Sequence, residues 1–284
     1  MPPHINALKF KPLLYLVATP IGNLADISLR ALETLKRCDY ILCEDTRHSL
    51  HLLQRHQIQR PLRSFHAFNE SKESEKVLSD LKGGMHIALI SDAGTPLFAD
   101  PGFGLVRRCK EEGIDVTAIP GANAALTALL LSGFPVFPFQ CLGFFPKKLS
   151  ELTDFISRLL LYKGTSICYE TPHRLLDTLE LFKKMGPDRL LCVARELTKQ
   201  YEECRTATSE ELTAHFVENT PRGEITLLIA PPPEGVEFEK LSTKELVAYL
   251  QEEFALPLNA AIKLAAELHA IPKKKIYKEI HVEK

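Results

Sequence analysis

Five short clusters in the first half of the chain carry residue types that ligand chemistry uses. They are Thr19-Pro20-Ile21-Gly22-Asn23, Glu44-Asp45-Thr46-Arg47-His48, His66-Ala67-Phe68-Asn69-Glu70, Ser91-Asp92-Ala93-Gly94-Thr95-Pro96 and Pro120-Gly121-Ala122-Asn123, and each follows an apolar run. Glycine and alanine let a backbone approach a bound molecule closely, while carboxylates and amides supply acceptors and donors. Ordinary turn chemistry explains any one cluster; five in succession point to a ligand. Two clusters of the second half, Tyr169-Glu170-Thr171-Pro172-His173-Arg174 and Arg195-Glu196-Leu197-Thr198-Lys199, mix carboxylates with cations. Helix capping by Thr171 accounts for part of the first and leaves Glu170, His173 and Arg174 without a role. Blander readings stand beside these: an Arg47–carboxylate pair fixing its own loop, a solvated face at 195–199, and a structural His66. No G-x-G-x-x-G follows the first apolar run and no G-x-x-x-x-G-K-[ST] occurs, which weakens the common dinucleotide and P-loop readings. The histidines and cysteines show no ligand spacing, so no metal is expected.

The elements that must position these residues follow from periodicity. Strand-type runs at 13–18, 40–43, 62–65, 86–90 and 116–119 alternate with helical patterns, the signature of stacked βα units. The first helix is capped by Asp26 or Ser28 and puts Leu29, Leu32 and Leu35 on one face; others are expected near 49–56, 74–82, 102–112 and 122–132. In an open parallel sheet the ligand lies beyond the carboxyl ends of the strands, where the five clusters fall. Two prolines in Phe134-Pro135-Val136-Phe137-Pro138 forbid a continuing helix and mark a linker. A second α/β half follows, with strands at 139–144, 165–169, 190–194, 203–208 and 224–229 and helices at 149–162, from Thr171-Pro172, and at 209–219. After the break Pro231-Pro232-Pro233-Glu234-Gly235, three short helices are expected at 242–254, 258–269 and 272–280. The expected domains are therefore 1–133, 134–230 and a small helical module at 236–284.

With 284 residues, 45% of them hydrophobic and 25% charged, the chain can bury two cores without staples. Its 35 basic and 36 acidic side chains leave a net charge of −1, which excludes holding nucleic acid by bulk charge alone. Local patches remain open, and Lys147-Lys148, Arg195, Lys199 and Lys273-Lys274-Lys275 are the candidates. No apolar run reaches the ~18 residues of a membrane helix, and the opening stretch lacks the order of a signal peptide, so a cytoplasmic location is expected. Seven cysteines without a C-x-x-C pair are read as small buried hydrophobes.

Eight ordered blocks, LVATPIGNLADISLRALETLK, ILCEDTRHS, FHAFNE, SDAGTPLFADPG, IPGANAALTAL, GFFPKK, YETPHRLLDTL and ARELTKQYEE, cover about residues 13–230. In this order they resemble the bacterial 16S ribosomal RNA 2′-O-methyltransferase I family, within the tetrapyrrole-methylase-like S-adenosylmethionine enzymes. One departure is Asn123, in a P-G-A-N-A block where the family usually carries serine. The resemblance implies an α/β fold of two tetrapyrrole methylase-like domains with a cofactor cleft between them, plus the small C-terminal helical module. It further implies a homodimer that binds S-adenosylmethionine and methylates the ribose 2′-hydroxyl of a cytidine in the decoding region of 16S rRNA, within the 30S subunit.

Methyl transfer from a sulfonium is an in-line displacement, so the protein chiefly positions donor and acceptor. The hydroxyl is a poor nucleophile at neutral pH, and a carboxylate, histidine or lysine can take its proton. Under the resemblance, Glu44, Asp45, Glu170 and Lys199 are the catalytic candidates. Pro20, Gly22, Asp92, Ala93, Gly94, Pro120, Gly121 and Ala122 would contact the cofactor, largely through backbone. Arg47, His48, Asn69, Glu70, His173, Arg174 and Arg195 would contact the RNA. A tetrapyrrole or other small-molecule methyltransferase is the alternative; it would keep the cofactor site and present an apolar pocket to a macrocycle. A non-catalytic module holding RNA through its C-terminal helices is a second.

Overall fold

The computed structural model describes residues 13–233 and 238–281. Residues 1–12, part of the stretch without signal-peptide order, and Glu234-Gly235 of the second proline break lie outside the described residues. The chain divides into two compact units, Met1–Ala124 and Ala125–Lys284.

In the first unit, β1 (Leu14–Val17), β2 (Tyr40–Cys43), β3 (Leu62–Ser64), β4 (Ile87–Ile90) and β5 (Val116–Ile119) form one sheet in the order β3-β2-β4-β1-β5, every pairing parallel. Both faces are covered, which is why most of these strands read as unbroken apolar runs. Tyr15 and Val17 pack with Ala31 and Leu35 of α1 (Leu29–Arg37) and with Leu52 and Leu53 of α2 (Thr46–Arg55). Leu14 lies in the opposite core, with Leu78 and Leu81 of α3 (Glu70–Lys82) and Leu105 of α4 (Phe103–Glu111). The strand order explains this split. Connections leaving β1 and β2 run towards β3, whereas those leaving β3 and β4 run back towards β5, and right-handed crossovers in opposite directions put their helices on opposite faces. The loops after neighbouring β1 and β4 therefore diverge, the switch point at which such sheets bind ligands.

Ser28 rather than Asp26 caps α1, its hydroxyl accepting the Ala31 amide at 3.1 Å. Two helices begin earlier than the expected 49 and 74. Asp45 Oδ1 accepts the Arg47 amide at 2.8 Å and starts α2 at Thr46; a turn closed by Asn69 Oδ1 on the His66 amide, also 2.8 Å, leads into α3 at Glu70. Their opening turns are polar, so apolar periodicity does not register them.

In the second unit the sheet runs β6-β7-β10-β8-β9, built from β6 (Phe139–Phe144), β7 (Thr165–Glu170), β8 (Leu190–Arg195), β9 (Glu203–Thr208) and β10 (Ile225–Ile229). Only β6 and β7 pair in parallel. Sheet pairing thus stops at Ile119 and resumes at Phe139, with α5 (Ala124–Ser132) and the proline-rich stretch between. Helices α6 (Leu149–Leu161), α7 (Pro172–Met185) and α8 (Ser209–Glu218) cover this sheet, the last opened by a Thr208–Glu211 capping box. The helices α9 (Thr243–Glu252), α10 (Leu258–Leu268) and α11 (Lys273–His281) share that core: Leu246, Leu250, Ile262 and Ile276 cluster with Ile156 and Leu160 of α6 and Phe182 of α7. Lys263 pairs with Asp154 and Arg158 with Glu267, fastening α10 to α6. The terminal helices thus share the core of the second sheet, and all of α5 but Ala124 falls in the same compact unit. Among the described residues no helix is long and apolar enough to cross a membrane.

Candidate active site

Hydrogen bonds tie the first unit's loops together beyond the switch point. Thr19 and Gly94 exchange backbone bonds of 2.9 and 3.1 Å, a bridge between the loops after β1 and β4. The Thr19 hydroxyl donates to the Ser91 carbonyl (3.1 Å), and the Ser91 hydroxyl to the Gly94 carbonyl (3.0 Å). The Thr95 hydroxyl donates to the Ala122 carbonyl at 3.1 Å and accepts from Asn123 Nδ2 at 3.2 Å, which fixes the loop after β5 to that after β4. Asn123, the departure from the family pattern, thus serves as a tie between loops. Within their clusters, Thr19, Ser91 and Thr95 receive no individual role from sequence because small hydroxyls in turns carry no distinctive spacing.

The glycines show why this rim is bare. Gly94 has φ +79°, and a Cβ there would lie 3.1 Å from Ile21 Cγ2 and 3.6 Å from the Ala122 carbonyl oxygen. At Gly121 a Cβ would sit 3.0 Å from that of Ala18. The two glycines thus let the loops after β4 and β5 close on Ile21 and Ala18 of the first unit; Pro20 is buried and Gly22 exposed.

Next to these loops are three carboxylates. Asp92 Oδ1 accepts the Asp45 amide at 3.3 Å. Glu44 and Asp100 line one small cavity with Phe65, Ser91 and Pro96. Burial, then the charges of Glu44 and Asp92, push the Asp100 carboxyl up to about 6. Sequence reasoning missed Asp100: an Asp before Pro-Gly reads as turn chemistry, and only the fold brings it to Glu44. Asp45 has the opposite environment. Arg47 holds it with side-chain bonds of 2.9 and 3.2 Å and a backbone amide, and these bonds bring its carboxyl down to about 2. Arg47 and His48 are otherwise exposed. Asn69 Nδ2 donates to the Ser64 carbonyl (3.0 Å), and Glu70 Oε1 accepts the Gly104 amide (3.1 Å), so both hold loops.

The second-unit candidates gather at one end of its sheet, since Ile225 of β10 is paired with Glu170 on one side and Arg195 on the other. Glu170 is 2% exposed and accepts the Thr171 amide (2.8 Å) and the Thr178 hydroxyl (2.7 Å), with Arg174 Nη1 3.6 Å away. Arg174 donates to the Phe145 and Pro146 carbonyls at 3.3 and 2.6 Å. Thr171 occupies the cap position of α7 without a capping side-chain bond, and Glu170 takes its amide instead. Arg195 Nε meets Glu203 at 2.5 Å, and His215 joins the same carboxylate at 2.7 Å. Lys199 Nζ bonds Glu196 (2.8 Å) and Glu224 (3.3 Å). Burial works to lower the Lys199 pKa, but these two carboxylates outweigh it and raise the value, keeping the amine protonated. His173 is exposed. Among the described residues no group of three or more His, Cys, Asp or Glu could hold a metal ion.

A parallel sheet with a glycine-lined switch point, followed by a mixed sheet, defines a class. This chain belongs to the Tetrapyrrole (Corrin/Porphyrin) Methylases, whose family model matches residues 13–213, as the ordered blocks implied. Within that class it is 43% identical over 281 residues to the Ribosomal RNA small subunit methyltransferase I of Escherichia coli O157:H7, covering 98% of each chain. It is 42% identical to the protein of the same name from Halalkalibacterium halodurans, covering 96% of each. Among solved structures it is similar to a diphthine synthase, with a TM-score of 0.59 and 13% identity over 92% of this chain and 99% of that one, a likeness of fold. As a methylase the chain draws on a methyl donor.

Proposed function

We propose that the chain transfers a methyl group from S-adenosylmethionine to the ribose 2′-hydroxyl of a cytidine in the decoding region of 16S rRNA, as a cytoplasmic homodimer acting on the 30S subunit. The observation that carries this reading is the 43% identity across 98% of both chains to a relative named for ribosomal RNA methylation. The tetrapyrrole alternative rests on the family's name and on likenesses such as that to a cobalt precorrin-4 methyltransferase, 16% identical, which are likenesses of fold.

The first-unit rim fits the cofactor chemically. Main-chain groups at Asp92, Ala93, Pro120 and Gly121 would hold it, with Gly94 and Ala122, bonded to Thr19 and Thr95, keeping the loops in place, and the Asp92 carboxylate favours a cationic group. When bound, the cofactor supplies an electrophilic methyl on a sulfonium. Asp100, which shares a cavity with Glu44 and Ser91 and whose carboxyl is pushed up by burial and by the charges of Glu44 and Asp92, is the candidate proton acceptor. Asp45, Glu170 and Lys199, each held in hydrogen bonds, position loops and helix starts. Arg47, His48 and His173, all exposed, face the RNA, with Arg47 gripping phosphate. Arg174 and Arg195 act through the carbonyls and carboxylate they hold. The dimer reading draws on α5, whose Leu126, Leu130 and Leu131 are exposed. The test is incubation with labelled S-adenosylmethionine and, separately, 30S particles, naked 16S rRNA and a tetrapyrrole precursor. Label in an RNA sample is expected; label in the tetrapyrrole alone overturns the reading.

A further inference from the structure

The site described above leaves one charged surface without a role. Helix α11 places Ile276 and Ile280 on its inner side, Ile276 fully buried in the second unit's core. At 3.6 residues per turn the opposite face carries Lys274, Lys275 and Lys278, with Tyr277 at its edge, and all four are exposed. No ion pair engages those three lysines among the described residues. Of the nearby acids, Glu245 closes the Ser242 capping box and Glu267 pairs with Arg158, while Glu279, one turn beyond Lys275 on α11 itself, lines a cavity with Ser242. In a chain of net charge −1, three cations on one exposed face are a local concentration rather than a sample of the whole. The face is also held firmly. A four-residue turn, 269–272, joins α10 to α11, the connection length of a helix-turn-helix pair, and α10 is fastened to α6 by two ion pairs.

We infer that the Lys274–Lys275–Lys278 face of α11 is a docking surface for the phosphate backbone of the ribosomal RNA substrate, an inference that rests on the RNA reading above. Lys274 and Lys278 stand about one turn apart, so two cations face the strand along the helix. A-form RNA hides its base edges in a deep major groove, so a basic helix meets phosphates there, adding affinity without reading sequence.

The experiment replaces all three lysines by alanine, which preserves helix propensity, and measures binding to naked 16S rRNA and to 30S particles across 50–200 mM potassium chloride. The slope of log affinity against log salt should flatten by about 2, at ~0.7 per lost phosphate contact, and binding at the low-salt end should weaken about tenfold or more. Calorimetric affinity for S-adenosylmethionine and the far-ultraviolet spectrum should match wild type. A folded triple variant with unchanged slope and affinity overturns the inference. So does weakened binding to 30S particles alone, which would assign the face to an acidic protein surface, and so does a wild-type chain with no salt-dependent RNA binding. The two readings fail separately. RNA binding that the triple variant loses, in a wild-type chain that transfers no methyl group, removes the methylation reading and leaves the surface standing; transfer with unchanged KM for RNA in the variant removes the surface alone.

Discussion

Replacing Glu170 by alanine separates a structural carboxylate from a catalytic one. Its side chain is buried where β7 passes into α7, and it accepts hydrogen bonds from the Thr171 amide at 2.8 Å, the Thr178 hydroxyl at 2.7 Å and, at 3.5 Å, the Thr171 hydroxyl, with the Arg174 guanidinium at 3.6 Å. Hydrogen bonds to a charged acceptor contribute about 1.5–3 kcal/mol each, and truncation strands the Thr171 and Thr178 donors while Arg174 keeps its carbonyl partners, so Glu170→Ala should cost about 3–5 kcal/mol. At roughly 2–4 °C per kcal/mol for a unit of this size, the melting temperature should fall by about 10 °C. Glu170→Gln keeps an acceptor for the Thr171 amide and should lose about half as much. Scanning calorimetry reads the loss, and methyl incorporation per folded molecule, measured well below the transition, should stay within a few fold of wild type. A Glu170→Ala protein that melts like wild type, or one that stays folded and transfers nothing, would refute the reasoning.

Gly94→Val should lower S-adenosylmethionine affinity at least tenfold in a protein with an unchanged far-ultraviolet spectrum, because φ +79° and the 3.1 Å approach to Ile21 both resist a side chain; calorimetry decides. Asp100→Asn should reduce kcat by about 10²-fold or more with RNA and cofactor binding retained, and the wild-type rate should rise with pH through about 6. Stability carries the same signature. A carboxyl raised from 3.8 to about 6 by folding stabilises the native state fully below pH 3.8 and loses that contribution as pH rises through about 6, so chemical denaturation of Asp100→Asn should show a smaller decline over that window.

The alternation of apolar runs with helical patterns was enough to place the strands of the parallel sheet, and the clusters at their carboxyl ends do meet: Thr19, Gly94, Thr95, Ala122 and Asn123 are joined by direct hydrogen bonds. Roles within the clusters were less legible. Arg47 binding Asp45 was weighed as a loop-fixing pair and has that geometry, whereas Glu170 and Arg174 looked unaccounted for until burial and the 145–146 carbonyls supplied their partners. Asp100 is invisible for the complementary reason: its environment is made by Asp92 of its own loop and by Glu44, distant in sequence and brought near by the β2–β4 pairing. The terminal helices could be placed by capping and periodicity, but that they share a core with α6 and α7 depends on long-range packing. Local pattern specifies elements; the chemistry of a side chain depends on neighbours that only the fold assigns.

The central claim is ribose methylation of small-subunit RNA, and nucleoside identification tests it most directly. Purified 30S particles from cells lacking this enzyme are incubated with the protein and isotopically labelled S-adenosylmethionine, and the 16S rRNA is then digested and its nucleosides resolved by mass spectrometry. Label in 2′-O-methylcytidine, mapping to one position in the decoding region, is expected. Label in a base-methylated nucleoside, or none in 16S rRNA while a tetrapyrrole precursor is methylated, would contradict it.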